Sequence, residues 1–309
     1  MGSAFPAPAW AVSASLPAHS RPAPAADPLA RLGEQLREVP LSVLVPVRSW
    51  ALDGGWRRGW VGVFLMFALG PFVLLRATRD DTDVKRLAWG FGLYFAAAWC
   101  LALVGLIRPE RQQPWLLLRI AGFTAVAGVT VAIALERWFH PGGSWAAMVF
   151  GVGLPEEFAK GLAVWLFLSR LSRVEWSTRS YLLAGAVSGL AFGTAEAVTY
   201  AVAYQQGLST DSTGYAGALV WRLLSGGLFH ACMAGIVGFF IGLAHYHRRH
   251  AALLMLLGLA LAAVLHGTYD RLSSGWGGVI VAAVTVFIFA GYVQTGDTIA
   301  RDYNALEGH

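Results

Sequence analysis

The sequence predicts an all-α fold, a polytopic transmembrane helix bundle with about eight spans. Of its 309 residues, 56% are apolar and only 13% are charged, about half the charged fraction of an ordinary soluble domain. The apolar stretches run unbroken for about 17 to 25 residues, which suits membrane helices, whereas barrel strands would have ~10 residues of alternating polarity. These observations exclude a single soluble domain.

Eight apolar spans follow one another from Trp60 onward. We predict them at residues 60–76, 87–107, 115–135, 144–168, 181–204, 216–244, 250–270 and 276–293. Tryptophan stands at or near the start of several spans, as in the aromatic belts of membrane helices. The predicted organisation is a disordered Pro- and Ala-rich tail, an interfacial segment, an eight-span membrane domain and a short C-terminal tail, at residues 1–40, 41–59, 60–295 and 296–309.

The basic residues predict the orientation in the lipid bilayer. Loops on one side hold eleven Lys and Arg and loops on the other hold six, so the positive-inside rule places both termini in the cytoplasm. The net charge of +5 is spread over short loops, which argues against a nucleic-acid partner. The two cysteines, Cys100 and Cys232, lie in apolar stretches and provide neither a disulfide framework nor a Cys-rich zinc site.

Ionisable side chains inside the predicted spans carry the main functional signal. A charge at the centre of a bilayer costs about 2.5–3.5 kcal/mol, so such a residue is a functional candidate by default. We interpret Arg119 as a snorkelling or packing residue, and Arg222 as snorkelling or paired with Glu196. The remaining candidates are concentrated in spans 4 to 7: Glu156, Glu157, Lys160, Glu196, His230 and His266.

The fourth span contains a charged group with helical spacing. Lys160 follows Glu156 by four residues and Glu157 by three, so one helix face brings the ammonium to both carboxylates. Lys160 can neutralise one carboxylate and leave the other to take a proton from water. A self-neutralising structural ion pair or a proton relay in a transporter would explain the same pattern.

The later spans add histidines and a further acid. His230 lies near the centre of span 6, and Glu196 lies in span 5 a little beyond its midpoint. His266 and Asp270 are four residues apart on one helix face, so Asp270 is expected to orient the imidazole and fix its tautomer. The depths of Glu156, Glu196 and both histidines predict one shared cavity in the middle or outer half of the membrane.

Four sequence segments follow one another on successive spans: PEEFAK at 155–160, FGTAE at 192–196, FHACMAG at 229–235 and HGTYD at 266–270. In this order they resemble the PrsW family, which belongs to a superfamily of intramembrane proteases with the type II CAAX prenyl endopeptidases. The resemblance implies hydrolysis of a peptide bond in a membrane-anchored protein such as an anti-sigma factor. It also implies a location in the bacterial cytoplasmic membrane, with cleavage on its outer side.

The resemblance also implies roles for individual residues. The catalytic set would be Glu156, Glu157, Glu196, His230 and His266, supported by Lys160, Phe192 and Asp270. The family often has Asn directly after the second-motif acid, whereas this chain has Ala197. Either the glutamates activate water directly while histidine stabilises the oxyanion, or Zn²⁺ is bound by Glu157, Glu196, His230 and His266. Because an HExxH motif is lacking, we favour metal-independent chemistry without a cofactor, and Zn²⁺ stays the alternative.

Two other function classes fit the same sequence. A proton-coupled transporter could use the carboxylates as a relay, and a non-catalytic scaffold could retain the fold to bind other membrane proteins. Other intramembrane protease motifs fit less well. GAVSG at 185–189 misses the rhomboid-like GxSG by one residue, and the presenilin-type GxGD is absent.

Overall fold

The computed structural model describes residues 33–35, 37, 84–111, 113–139, 142–172, 174–205, 212–273 and 275–306. The chain divides into two units, Met1–Glu38 and Val39–His309, and the description below concerns the second unit. The predicted interfacial segment at 41–59 and the first span at 60–76 lie outside the described residues, as does the tail at 1–40 except for four residues. The predicted domain boundaries therefore stay predictions.

The described residues are helical and contain no strand, which confirms the all-α class. The α-helices are α1 Val84–Ile107, α2 Pro114–Phe123, α3 Val129–Phe139, α4 Trp145–Met148, α5 Leu154–Val164, α6 Thr178–Gln205, α7 Ser212–Tyr246, α8 Ala251–Leu272 and α9 Trp276–Leu306. Within the described ranges, six helical stretches are long and apolar enough to cross a membrane: Ala88–Ile107, Pro114–Phe139, Thr178–Tyr200, Ser225–Tyr246, Arg248–Leu272 and Trp276–Arg301. The chain is thus a polytopic membrane protein, and the total of eight spans stays a prediction.

The predicted fourth span, 144–168, is a helix with irregular turns. The Ser144 side chain accepts a hydrogen bond from the Ala147 N–H and so caps the start of α4. A π-helical turn, Val149–Gly153, separates α4 from α5, and a second one, Trp165–Arg170, follows α5. Such turns occur frequently at functional sites. The first one is separated from the Glu156–Glu157 pair only by Leu154 and Pro155.

Helices α6 and α7 form the closely packed centre of the bundle. A Cβ atom on Gly185 or Gly189 would lie 2.1 Å from a backbone carbonyl oxygen of α7, that of Ala234 or His230 respectively. Only glycine permits this approach, which is the way in which small residues spaced by four let membrane helices pack. The contact fixes the backbone of α7 at His230 against α6.

The last helix extends beyond the predicted eighth span, 276–293. Helix α9 continues to Leu306, past residue 296, where the short C-terminal tail is predicted to begin. An ion pair of 2.7 Å between Arg179 and Asp297 joins the start of α6 to this part of α9. Asp297, which lies beyond the predicted end of the membrane domain, therefore contacts the start of α6.

Candidate active site

The charged group of α5 is buried as one unit. Pro155 lies in the first turn of α5, directly after Leu154 and the π-helical turn Val149–Gly153, and its missing N–H is in keeping with the irregular helix at this point. Glu156, Glu157 and Lys160 are all buried. The Lys160 ammonium donates to Glu156 Oε2 at 3.0 Å and to Glu157 Oε1 at 2.7 Å, so both predicted pairings form at once.

His230 on α7 connects this group to α6. Its Nδ1 lies 2.9 Å from Lys160 Nζ, and its Nε2 lies 2.8 Å from Glu196 Oε2. Because the ammonium can only donate, Nδ1 accepts, and the ring proton on Nε2 is donated to the Glu196 carboxylate. The two contacts fix the tautomer and the orientation of this ring.

His266 on α8 approaches the glutamate pair from another side. Its Nδ1 lies 2.9 Å from Glu157 Oε1, which is a hydrogen bond that orients the ring. Its Nε2 lies 3.6 Å from Asp270 Oδ2, beyond direct hydrogen-bond distance. The carboxylate that orients His266 is therefore Glu157, whereas the sequence predicted Asp270 for this role.

The Glu156 carboxylate lies between the two histidines. Glu156 Oε2 is 3.8 Å from His230 Nδ1 and 3.6 Å from His266 Nε2, and the two imidazole centroids are 5.2 Å apart. The five residues predicted as catalytic thus come together, joined by Lys160. Among the described residues, Glu157 Oε2 has no hydrogen-bond partner although it is buried. Glu157 Oε2 is thus the oxygen of this carboxylate that is not bound by Lys160 or His266.

Phe192, the predicted supporting aromatic residue, forms one wall of the cluster. The Lys160 ammonium lies 4.3 Å from the centroid of its ring, within the range of a cation–π interaction. The His230 ring lies 5.7 Å from the same ring. Phe192 therefore shields the Lys160 ammonium and contributes to holding both side chains in place.

Three of these residues have the chemistry and spacing of a metal site. One carboxylate oxygen of Glu156 and one nitrogen each of His230 and His266 lie within 4.8 Å of one another. A carboxylate with two imidazoles is a common catalytic zinc ligand set. The ligands anticipated from the sequence were Glu157 and Glu196 with the two histidines, whereas the structure brings Glu156 to both rings.

The carboxylates outside this set hold the histidines from behind. Glu157 binds the far nitrogen of His266, and Glu196 binds the far nitrogen of His230. Metal-binding histidines in proteins usually have such a carboxylate partner, which fixes the tautomer and strengthens the ligand. The donor set and its supports therefore fit a divalent cation, which would compete with the Lys160 ammonium for Glu156 and His230.

Ser188, in the GAVSG sequence, has a structural environment. It is fully buried, and its hydroxyl donates to the Lys160 carbonyl at 2.9 Å and lies 2.8 Å from the hydroxyl of Thr124. Thr124 begins the π-helical turn after α2. Ser188 therefore fixes the backbone of Lys160 against two neighbouring helices and is not arranged as a nucleophile.

The candidate residues predicted from the sequence did not include Glu136. Glu136 lies in α3 and interacts electrostatically with Glu156, Glu196, His266 and Lys160. The predicted third span ends at residue 135, so Glu136 was placed just outside it.

Two arginines, Arg119 and Arg222, lie within the predicted spans 3 and 6. Arg119 is exposed, and its guanidinium lies 5.8 Å from the centroid of the Trp115 ring, in keeping with a snorkelling or packing role. The Arg222 side chain lies outside the described residues.

The fold and the site together define a class, a polytopic helical membrane protein with a buried carboxylate–histidine cluster. The family described as PrsW family intramembrane metalloprotease matches residues 112–293, more than half of the chain. The chain belongs to the PrsW family, which confirms the resemblance of its four motifs. The match includes every residue of the cluster.

A curated relative supports the same assignment over part of its length. The Protease PrsW of Shouchella clausii (strain KSM-K16) is 30% identical to this chain over 136 residues. The match covers 44% of this chain and 58% of the relative, so it spans little more than half of that protein. No solved structure matches the chain.

Proposed function

We propose that this protein is an intramembrane endopeptidase that hydrolyses a peptide bond of a membrane-anchored protein. The observation that carries the proposal is the position of Glu156 between two histidines, each held at its far nitrogen by another carboxylate. Membership of the PrsW family supports this function over a transporter or a scaffold. The readouts below distinguish the three functions.

Glu156, His230 and His266 are the residues that would hold the metal that the family description implies. Zn²⁺ bound there would supply a water of lowered pKa and polarise the substrate carbonyl. The metal-independent reading that the sequence favoured uses the same residues, with the histidines as oxyanion stabilisers. The fit of the donor set now favours the metal.

The other residues of the cluster orient the reactants and handle protons. Glu157 and Glu196 keep the histidine rings in place, and Lys160 offsets the charge of the buried glutamates. Water adds its oxygen to the carbonyl carbon and passes a proton to Glu157 Oε2, the oxygen without a partner among the described residues. That proton then moves to the leaving amine as the C–N bond breaks.

The substrate and the setting follow from the family and the apolar helices. A single-span protein in the same bilayer is the class of substrate, and an anti-sigma factor is the member of that class that the resemblance implies. We place the protein in the bacterial cytoplasmic membrane with both termini in the cytoplasm, because of the loop charges. Cleavage then takes place in the middle or outer half of the membrane.

The proposal is tested by cleavage of a candidate membrane substrate in proteoliposomes, with new peptide termini identified by mass spectrometry. We expect Glu156→Gln, Glu157→Gln and His230→Ala to lose at least 100-fold in rate, a loss of the order found for essential acid–base groups. Glu110→Gln is the matched control, since Glu110 is exposed in the loop between α1 and α2. Unimpaired cleavage by all three site variants would contradict an enzyme that uses this cluster.

Two further readouts separate the alternatives. A chelator should stop cleavage and added Zn²⁺ should restore it, whereas cleavage that resists the chelator would return the mechanism to the glutamates alone. Proton flux into vesicles without any new peptide terminus would instead indicate a transporter. If neither cleavage nor proton flux is observed, the non-catalytic scaffold is the function that remains.

A further inference from the structure

Glu136 is a carboxylate that neither the family motifs nor the cluster described above includes. It lies in α3, three residues before the end of the candidate membrane-spanning stretch Pro114–Phe139. It is partly buried, and no described residue forms a hydrogen bond or ion pair with it. An acidic residue in a membrane helix is a functional candidate, and its partner has to be identified.

The packing of α3 shows which way Glu136 faces. Ala132, four residues earlier and so on the same face of α3, is buried in a cluster with Ala159 of α5 and Phe192 of α6. Glu136 lies one turn beyond Ala132 on α3. Helix α6 runs in the same direction as α3, so one turn beyond Phe192 lies Glu196. Helix α5 runs in the opposite direction, so the turn that contains Glu156 lies at the same level.

The electrostatic contacts agree with this placement. The Glu136 carboxylate lies within electrostatic range of Glu156, Glu196, His266 and Lys160. Lys160 is already bonded to Glu156, Glu157 and His230. No described residue forms an ion pair with the Glu136 carboxylate, so it is able to bind a cation that comes from outside the described part of the chain.

A bound substrate can supply that cation. Glu156 and Glu136 lie on neighbouring helices, α5 and α3, so a peptide bond that reacts beside Glu156 is one helix spacing from Glu136. An extended chain advances about 3.3 Å per residue. A lysine or arginine one or two residues from the scissile bond can thus reach the carboxylate. Glu196 is also partly exposed, with 23% of its side chain accessible, so the cluster is open at this level of the bundle.

We propose that Glu136 is a specificity-determining residue, which binds a basic side chain of the substrate next to the scissile bond. The proposal rests on the endopeptidase function proposed above and adds the chemistry of the cleaved segment. A charge-assisted hydrogen bond in a partly buried position is stronger than a neutral one. We expect basic substrates to be preferred at least tenfold over matched neutral ones.

The experiment uses the full chain in phosphatidylglycerol–phosphatidylcholine vesicles with a library of synthetic single-span peptides. The peptides are randomised around one end of the apolar segment, and new termini are read by mass spectrometry. Wild type should give products enriched in Lys or Arg within two residues of the cut. Glu136→Gln should lose at least tenfold of this preference, Glu136→Asp should keep it, and Glu136→Lys should favour Asp or Glu.

Controls make the result specific. Glu110→Gln should retain the wild-type preference, and the thermal midpoint of each variant reports whether it is folded. The proposal would be overturned if Glu136→Gln kept the wild-type preference for Lys or Arg near the cut. It would also be overturned if this variant lost bound zinc and its preference did not change. In both cases the peptidase function would stand. If wild type yields no new terminus from any peptide, the proposed function itself is refuted, and this inference is refuted with it.

Discussion

Replacement of Lys160 by methionine tests whether the cluster depends on its buried cation. Lys160 is fully buried and donates to Glu156, Glu157 and His230 at 3.0, 2.7 and 2.9 Å. Lys160→Met keeps most of the side-chain volume and removes the charge. The two carboxylates then stay buried beside each other without their shared partner.

The expected cost is large. Removal of one partner from a buried ion pair destabilises a protein by about 3–5 kcal/mol, because the remaining charge is left uncompensated. Here one cation serves two glutamates, so we expect the upper part of that range. Glu157→Gln removes one of the stranded charges, and the double variant should recover at least ~1 kcal/mol relative to Lys160→Met.

The assay is the free energy of unfolding in mixed detergent micelles, followed by circular dichroism. Arg119→Met is the matched control, since Arg119 also lies in an apolar helix but is exposed and stacks on Trp115. That change should cost less than about 1 kcal/mol. A Lys160→Met variant as stable as this control would refute the account of the cluster as a charge-compensated unit.

Two further predictions concern the supports of the cluster. A Cβ on Gly193 would lie 2.6 Å from His230 Cδ2, so Gly193→Ala should displace the imidazole and lower the cleavage rate about 100-fold, measured as kcat/KM with the thermal midpoint as a check on folding. Ser188→Ala should cost about 1–3 kcal/mol of unfolding free energy, since the buried Thr124 hydroxyl loses its partner. It should retain measurable cleavage, and complete inactivity of the folded protein would indicate a nucleophilic serine instead.

The helices and most of the candidate site could be predicted from the sequence, because both depend on local properties. Apolar stretches of membrane length identify the helices, and an ionisable group within one is rare enough to attract notice. The chain order of Glu156, Glu196, His230 and His266 was therefore visible before any coordinates. That these four meet depends on the glycine-mediated packing of α6 on α7, which sequence spacing alone does not specify.

The differences have physical causes. Adjacent residues on a helix point about 100° apart, so whether Glu156 or Glu157 faces both histidines depends on how α5 is rotated in the bundle. Asp270 shares a helix face with His266, but the hydrogen bond comes from Glu157 on another helix. Glu136 was missed because α3 continues to Phe139, past the predicted end of the apolar span.

The central claim, that this cluster hydrolyses a peptide bond, is tested most directly by cleavage in H₂¹⁸O. The reconstituted protein is incubated with a single-span substrate, and the new carboxyl terminus is weighed by mass spectrometry. The account predicts one ¹⁸O atom in that terminus for wild type and no product from Glu156→Gln at equal expression. A product formed at the same rate by Glu156→Gln, or a new terminus without ¹⁸O, would contradict it.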